Sequence, residues 1–537
     1  MPTRILNHIS TSITGAAVLM ASASFLSRLL GLVRDRIFAH TLGAGSMLDA
    51  YYAAFKIPDL LFNLIILGAL SAGFIPVFTK FRKTHGLQDS WPMVRTIVSL
   101  GSLVLAAGAV VLFIFADPLM WLVAPGFSTE THTQAVAFTR IMFLSPIFLG
   151  FSAVLGGALQ SLRQFFVFAL APILYNGGII IGATFFYNKM GINGLAWGVV
   201  LGAFLHASIQ YFALRGQGFR MTFSLKITTE VKRILYLMAP RTLGLAISQV
   251  SLIALTAITS TLSDGSISAF QLAHNIAFVP IGIFAVSYAV ASFPMLAEGA
   301  TEKTQETFTK SFSSTVRQIL FLMIPSTVLF VLLRAQIVRV LLGTGAFDWQ
   351  DTVMTFDTLA MFAVGFTALG LVHVMVRGFY AFEDTKTPVV IAILSETIVL
   401  FVAYLASRSL GVQGIALGVS VGALVQVALL WSMLVPKTKS LDGRRVLVST
   451  FKMTVMALGM ALMMQITKSP ISSLVDMDTG LGVFVQASTV GLIGCLTYVG
   501  IGLLLKSHEM NIFVRVIRDR LIKIKILPHD ITDAGGL

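Results

Sequence analysis

Apolar runs of about twenty residues or more recur from near residue 14 to residue 505. A run of ~20 residues is the length of a helix across the ~30 Å hydrocarbon core of a bilayer, whereas a barrel strand needs only about ten. In lipid every backbone N–H and C=O must be satisfied within the protein, which leaves helices and closed barrels. Run length selects helices. The chain is therefore expected to be an all-α polytopic membrane protein with about 14 transmembrane helices. Composition agrees: 56% of its 537 residues are hydrophobic and 12% charged, where a soluble protein carries roughly 25% charged residues.

The net charge of +14 would suggest nucleic acid in a soluble chain. Here it reflects the Lys and Arg of cytoplasmic loops, and no nucleic-acid partner is expected. The basic loops carry, among others, Lys80, Arg82, Lys83, Arg163, Arg215, Lys232, Arg233, Lys386, Arg444 and Arg445. They alternate with loops poor in cations, so both termini are expected in the cytoplasm. Residues 1–23 have the outline of a cleavable leader, but the apolar run continues into a charged helix, and an uncleaved first span is expected. Trp91, Trp121, Trp197, Trp349 and Trp431 fall near expected helix ends, as an interfacial belt would place them. The lone cysteine, Cys495, excludes a disulfide within the chain and a cysteine zinc site.

The chain also repeats itself. GINGLAWGVVLGA at 191–203 matches GVQGIALGVSVGA at 411–423 with seven identities at an offset of 220, and TLGAGS at 41–46 meets TLSDGS at 261–266 at the same offset. An even number of spans separates the copies, so two parallel six-helix repeats are expected, a layout that puts a substrate site near mid-membrane. The expected organisation is a lobe over 1–220, a second over 221–440, two extra transmembrane helices over 441–510 and a basic cytoplasmic tail over 511–537.

Charges concentrate in one hairpin, residues 24–63: Arg28, Arg34, Asp35, Arg36, Asp49 and Lys56. A charge near a bilayer centre costs about 2.5–3.5 kcal/mol on insertion scales, so such a cluster implies a watery compartment. On a helix Arg28, Gly31 and Asp35 share a face. Asp49, Lys56 and Asn63, spaced by seven, would form a second polar stripe on the next helix. Two such stripes suit an anionic ligand, because arginine stays charged and offers paired donors to phosphate. The other reading is that Arg34 and Asp35 simply pair, with Arg36 at a lipid interface or in a loop, and that Asp49 and Lys56 pair with partners that stabilise one conformational state.

Further along, Gln271, His274 and Asn275 cluster at helical-neighbour spacing, either as ligand contacts or as a polar packing cluster. Arg241, just after Pro240, either supplies a cavity cation or reaches the cytoplasmic interface. His373 and Arg377 share a face near the cytoplasmic end of the tenth span. Glu396 is an acid deep inside an apolar span and corresponds to Asn176 at the repeat offset. It is a candidate for ion coupling, against a hydrogen-bonded packing role. No P-loop, metal-ligand spacing or nucleophile elbow stands out, so no enzyme and no bound cofactor are expected.

SRLLGLVRD (27–35), LGAG (42–45), DAYYAAFKIPDLL (49–61), the FIP turn (74–76), APGF (124–127), GTGAFD (343–348) and GFYAFEDTKTP (378–388) together resemble the MurJ (MviN) family over nearly the whole chain. That family belongs to the multidrug/oligosaccharidyl-lipid/polysaccharide exporter superfamily. The resemblance implies a flippase that moves lipid II, the undecaprenyl-diphosphate-linked peptidoglycan precursor, across the bacterial cytoplasmic (inner) membrane by alternating access, for cell-wall synthesis. It places the family's first-helix arginines on Arg28 and Arg34, its following acid on Asp49 and its lysine on Lys56. It also implies a groove for the polyprenyl tail in the last two spans. Some relatives bind sodium, so coupling to Na+ or H+, with membrane potential, is implied for this chain, with Glu396 as the candidate.

The chain departs from the family pattern. Phe62 stands where an arginine is usual, Leu67 where a glutamate is, and His274 and Asn275 where an acid–arginine pair is. Two other readings therefore stay open: a flippase for another polyprenyl-diphosphate-linked glycan or a small-molecule exporter of the same superfamily, and a transport-inactive scaffold for cell-wall enzymes. Expected partners are the lipid cargo, membrane lipids and cell-wall synthesis proteins.

Overall fold

The computed structural model of the protein describes residues 13–67, 73–300, 305–438 and 440–523. Among these residues all regular structure is helical. Nine described helices are long and apolar enough to cross a membrane, or ten when Trp349–Val364 and Phe366–Ala381, bent by 47°, count as one span. The chain groups into two compact units. The first is residues 1–275, 341–355 and 400–415, and the second 276–340, 356–399 and 416–537.

In the first unit the opening helix, Ile13–Leu42, runs unbroken for 30 residues. The segment after it does not. It divides into Ser46–Ala54, Lys56–Phe62 and a π turn at Asn63–Leu67. Pro58 explains the first break: a proline has no N–H for the carbonyl four residues back and its ring crowds that carbonyl. The carbonyl in question, Ala54, instead has the Thr139 hydroxyl at 3.4 Å. The expected stripe of Asp49, Lys56 and Asn63 is interrupted there, although Phe55 itself keeps helical φ and ψ, −70° and −26°.

The glycine-rich helix Gly194–Arg215 returns along Phe165–Ile181, with Gly191 at φ +64° between them. Glycines let the two backbones touch. A Cβ on Gly178 would lie 2.3 Å from the Gly202 Cα, and one on Gly182 would lie 2.4 Å from the Gly198 Cα. In membranes, where hydrocarbon surrounds every helix, such close van der Waals contact is a main source of helix association.

The internal repeat has a backbone counterpart. Gly191 and Gly411 both take positive φ, +64° and +57°. A Cβ on Gly194 would strike the Phe186 carbonyl carbon at 2.4 Å, and one on Gly414 the Ala406 carbonyl carbon at 2.4 Å. The mirror extends to a loop whose sequence hides it. Arg163 and Glu383, 220 apart, sit at φ +60° and +57°. Gln164 N–H donates to the Leu159 carbonyl and Asp384 N–H to the Phe379 carbonyl, at 2.8 and 3.1 Å.

Trp91 begins the helix Trp91–Ile114, but it is 1% exposed and packs with Phe78 and Phe219 in the core of the first unit. It is not part of an exposed belt. Trp121, Trp197 and Trp349 are exposed.

In the second unit, Gly443–Ser472 packs on Gly480–Leu504 and on the long helix Gln305–Leu332. A buried ion pair, Arg317 with Glu509, joins that long helix to His508–Lys523. Glu509 also accepts from the Ser449 and Ser507 hydroxyls at 3.1 and 3.0 Å. The appended helices are thus bolted to the unit by a charge pair whose oxygens are all occupied.

Candidate functional site

The opening helix carries Arg28, Arg34 and Asp35 past an open face. A Cβ added to Gly31 would meet nothing within 4 Å. Among the described residues, then, nothing packs on Gly31. Arg28 is exposed on this helix.

Arg34 is held at the edge of this space by its own neighbour. Its Nε and Nη2 donate to Asp35 Oδ1 at 3.0 and 2.8 Å, and Nη1 donates to Asn176 Oδ1 at 3.3 Å. The second Asp35 oxygen accepts from Asn275 Nδ2 at 2.8 Å, and Asn275 Oδ1 accepts from Gln271 Nε2 at 3.0 Å. Asn176 Nδ2 in turn donates to the Pro172 carbonyl at 3.1 Å. One chain of hydrogen bonds so runs from helix Ser266–Pro280 through Asp35 and Arg34 to helix Phe165–Ile181. Asp35 is 3% exposed at its side chain and Arg34 is 21% exposed, so the acid is consumed inside and the guanidinium keeps an accessible edge.

Asp49 has a different place from the one its spacing implied. Its carboxylate reaches the start of Ser266–Pro280, where Oδ2 accepts from Gly265 N–H at 2.8 Å and Oδ1 from Ser268 N–H at 2.7 Å. The Ser268 hydroxyl also donates to Oδ1, at 2.5 Å. The first N–H groups of a helix lack internal partners, and a carboxylate there is favoured by the helix dipole as well. Asp49 is 4% exposed. It is a cap supplied by another helix, with both oxygens occupied.

The same end of the unit is held by further bonds. Ala44 N–H donates to Asp351 Oδ2 at 2.9 Å, and Ala346 N–H to the His40 carbonyl at 2.9 Å. Gly126 N–H donates to the Ser260 hydroxyl at 3.1 Å. Gly265 lies at φ +85° against the Ala44 carbonyl, 1.8 Å from where a Cβ would be.

Lys56 is half-buried at the start of its short helix, with Asp59, an acid the spacing argument overlooked, one turn on. Asn63 begins the π turn and is half-buried. His274 and Asn275 lie side by side on Ser266–Pro280, and the His274 ring stacks beside Phe270 with centroids 6.2 Å apart. The structure brings Arg34, Asp35 and Asn275 into direct contact. The side chains of Arg241 and Leu67 lie outside the described residues, within or next to described helix. Glu396 is half-buried in Lys386–Leu410, in the second unit. Asn176 is the polar residue that sequence reasoning left out of the site; a lone amide in an apolar span was the available signal.

The second unit holds a cavity of about 270 Å³ lined by Phe293, Val372, His373, Val376, Arg377 and Tyr380. Arg377 Nη1 donates to the His373 carbonyl at 2.9 Å. Among the described residues no group of three or more His, Cys, Asp or Glu could hold a metal.

Comparison with known proteins places this geometry. The family described as "Lipid II flippase MurJ" matches residues 38–477. A "Probable lipid II flippase MurJ" of Rhizobium tropici is 30% identical over 409 residues, covering 73% of this chain and 76% of the relative. A "Lipid II flippase MurJ" of Burkholderia cenocepacia is 28% identical over 425 residues, covering 78% and 82%. Among solved structures, "Lipid II flippase MurJ, inward closed conformation" aligns with a TM-score of 0.75 at 25% identity, over 91% of this chain and 98% of that one. An inward-facing MATE family transporter aligns with a TM-score of 0.66 at 17% identity, over 79% and 99%, a likeness of fold.

Proposed function

The chain belongs to the MurJ lipid II flippase family, and from that footing we propose that it carries lipid II across the bacterial cytoplasmic membrane by alternating access. It is a multi-pass transporter, not an enzyme. The observation that carries this reading is the guanidinium of Arg34, fixed by Asp35 and Asn176 beside the open face at Gly31. A diphosphate needs donors that stay charged at every pH of the cell, and arginine supplies them in pairs. Arg28, two helical turns earlier, is the second contact. Lys56 and His274 extend the polar lining, and Arg241 stays a candidate from the sequence alone. Asn275 and Asp49 act on it indirectly, one by holding Asp35 and the other by capping the helix that bears Asn275.

Both termini lie in the cytoplasm in this reading, following the basic loops. The cycle draws on membrane potential or on a Na+ or H+ gradient. A potential of 100 mV is worth about 2.3 kcal/mol per charge moved, enough to bias an anionic carrier without ATP. Glu396 is the candidate coupling acid. Membrane lipids and cell-wall synthesis proteins are its partners.

A second reading, a related polyprenyl-diphosphate glycan as cargo, is favoured by one observation: Asp35 is held by the neutral amide of Asn275. The test is reconstitution with purified lipid II and with a second glycan-linked polyprenyl diphosphate, leaflet exposure being read under imposed sodium, proton and voltage gradients. Flipping of lipid II that falls at least tenfold in Arg28→Ala plus Arg34→Ala is the expected result. Full transport by that double variant defeats the assignment of these arginines.

A further inference from the structure

The far end of the opening helix, beyond Arg34, borders a cavity of about 490 Å³ that the transport reading leaves unused. Arg36, His40, Thr41, Tyr187, Asn188 and Thr344 line it, and of its remaining walls only Ile37 and Ala183 lack a polar side chain. Its volume is that of a small-ligand pocket, about 300–1,000 Å³. Among the described residues no carboxylate lines it.

The walls are built, not incidental. Ala346 N–H donates to the His40 carbonyl at 2.9 Å, and His40 Nδ1 lies 3.1 Å from the Thr344 hydroxyl. Arg36 Nη1 reaches the Leu341 carbonyl at 3.3 Å. Gly345, at φ +62°, sits so close to the His40 carbonyl oxygen that a Cβ would be 2.3 Å away. On the opposite wall the π turn Gly182–Phe186 delivers Tyr187 and Asn188. Such turns concentrate at functional positions. Asn188 Nδ2 donates to the Thr184 carbonyl at 2.7 Å, which leaves its amide oxygen and second N–H unspent by that bond.

This set of hydroxyls, one phenol ring, one imidazole, one amide and one guanidinium, with no acid among the described lining, matches a sugar bearing amide and carboxylate groups. It is too poor in cations to suit a diphosphate. His40 lies six residues past Arg34, about 9 Å along a helix. A diphosphate at Arg34 would leave its sugar end at this depth. We propose that the cavity is the external resting site of the saccharide–peptide part of the cargo. This rests on the transport reading and on its orientation, and deepens both.

The probe is a water-soluble muramyl peptide without diphosphate or lipid, titrated onto the full chain in lipid nanodiscs. Saturable binding is expected. Tyr187→Ala and Asn188→Ala should each weaken it about five- to tenfold, the worth of one or two net hydrogen bonds. Lys189→Ala, next along the chain and exposed, should leave it unchanged. Equal thermal midpoints and elution profiles show that the variants are folded. For sidedness, Asn188→Cys with Cys495→Ser should react with an impermeant maleimide added outside intact cells, and muramyl peptide should protect it. Wild type that flips lipid II yet binds no muramyl peptide, binding untouched by both substitutions, or labelling from inside alone overturns the cavity assignment and leaves the transport reading standing. Wild type that flips no lipid II removes both.

Discussion

Asp49 offers the sharpest separation between a group that holds the protein and a group that holds the ligand. Asp49→Ala removes the acceptor for the N–H groups of Gly265 and Ser268 and for the Ser268 hydroxyl. Each buried N–H left without a partner costs about 1–3 kcal/mol, so the two together give about 2–6 kcal/mol. Losing a negative charge at a helix start adds up to about 2 kcal/mol in a partly buried setting. Asp49→Asn keeps an oxygen for Ser268 but turns an NH2 toward the Gly265 N–H, so roughly half the loss, about 1–3 kcal/mol, is expected. Intrinsic-fluorescence melting of the detergent-purified protein should rank wild type above Asn and Asn above Ala. Lipid II affinity should fall only as the folded fraction does. If Ala melts with wild type while lipid II binding is lost, the carboxylate touches the ligand and the cap argument is wrong.

Gly194→Ala and Gly414→Ala place a Cβ 2.4 Å from equivalent carbonyl carbons; each should lower the melting temperature and yield by a similar amount, and a neutral result at either would break the repeat as a packing rule. Arg317→Ala leaves Glu509 buried without its cation, a change that costs about 3–5 kcal/mol, while Arg317→Met plus Glu509→Leu should recover most of the stability in the same melting assay. Asp384 lies in the loop after Phe366–Ala381; burial alone would raise its carboxyl, but the Thr387 N–H and hydroxyl and the Lys437 ammonium outweigh that and hold it at about 2. A depressed carboxyl stabilises the fold above its unfolded value near ~4 and loses that contribution as pH falls toward ~2, so Asp384→Asn should flatten that part of the melting-temperature profile in acid.

Architecture was largely legible in the chain because membrane helices announce themselves by length and polarity alone. The glycine match at 191–203 and 411–423 pointed to an internal repeat, and both copies place Gly194 and Gly414 against a neighbouring carbonyl. The loops at Arg163 and Glu383 share a backbone shape with unlike residues, so only coordinates reveal them. Within the site, Arg34 and Asp35 could be named from sequence, but Asn176 could not be tied to them, since it is 142 residues away. Asp49 could be read from spacing either as a ligand contact or as a group held by partners, and its carboxylate is bonded to the start of Ser266–Pro280. A helix cap provided by a residue 216 positions away leaves no local pattern to read.

If Arg34 receives the cargo as proposed, its pairing with its chain neighbour has a kinetic consequence. An incoming anion does not find a naked cation; it must displace, or share with, an acid only 2.8 Å away. Capture then becomes an exchange of one negative partner for another, with little net gain in either direction. Grip stays shallow, and Asp35 stands ready to reclaim the guanidinium as cargo departs, the behaviour required of a carrier that must reset after every crossing.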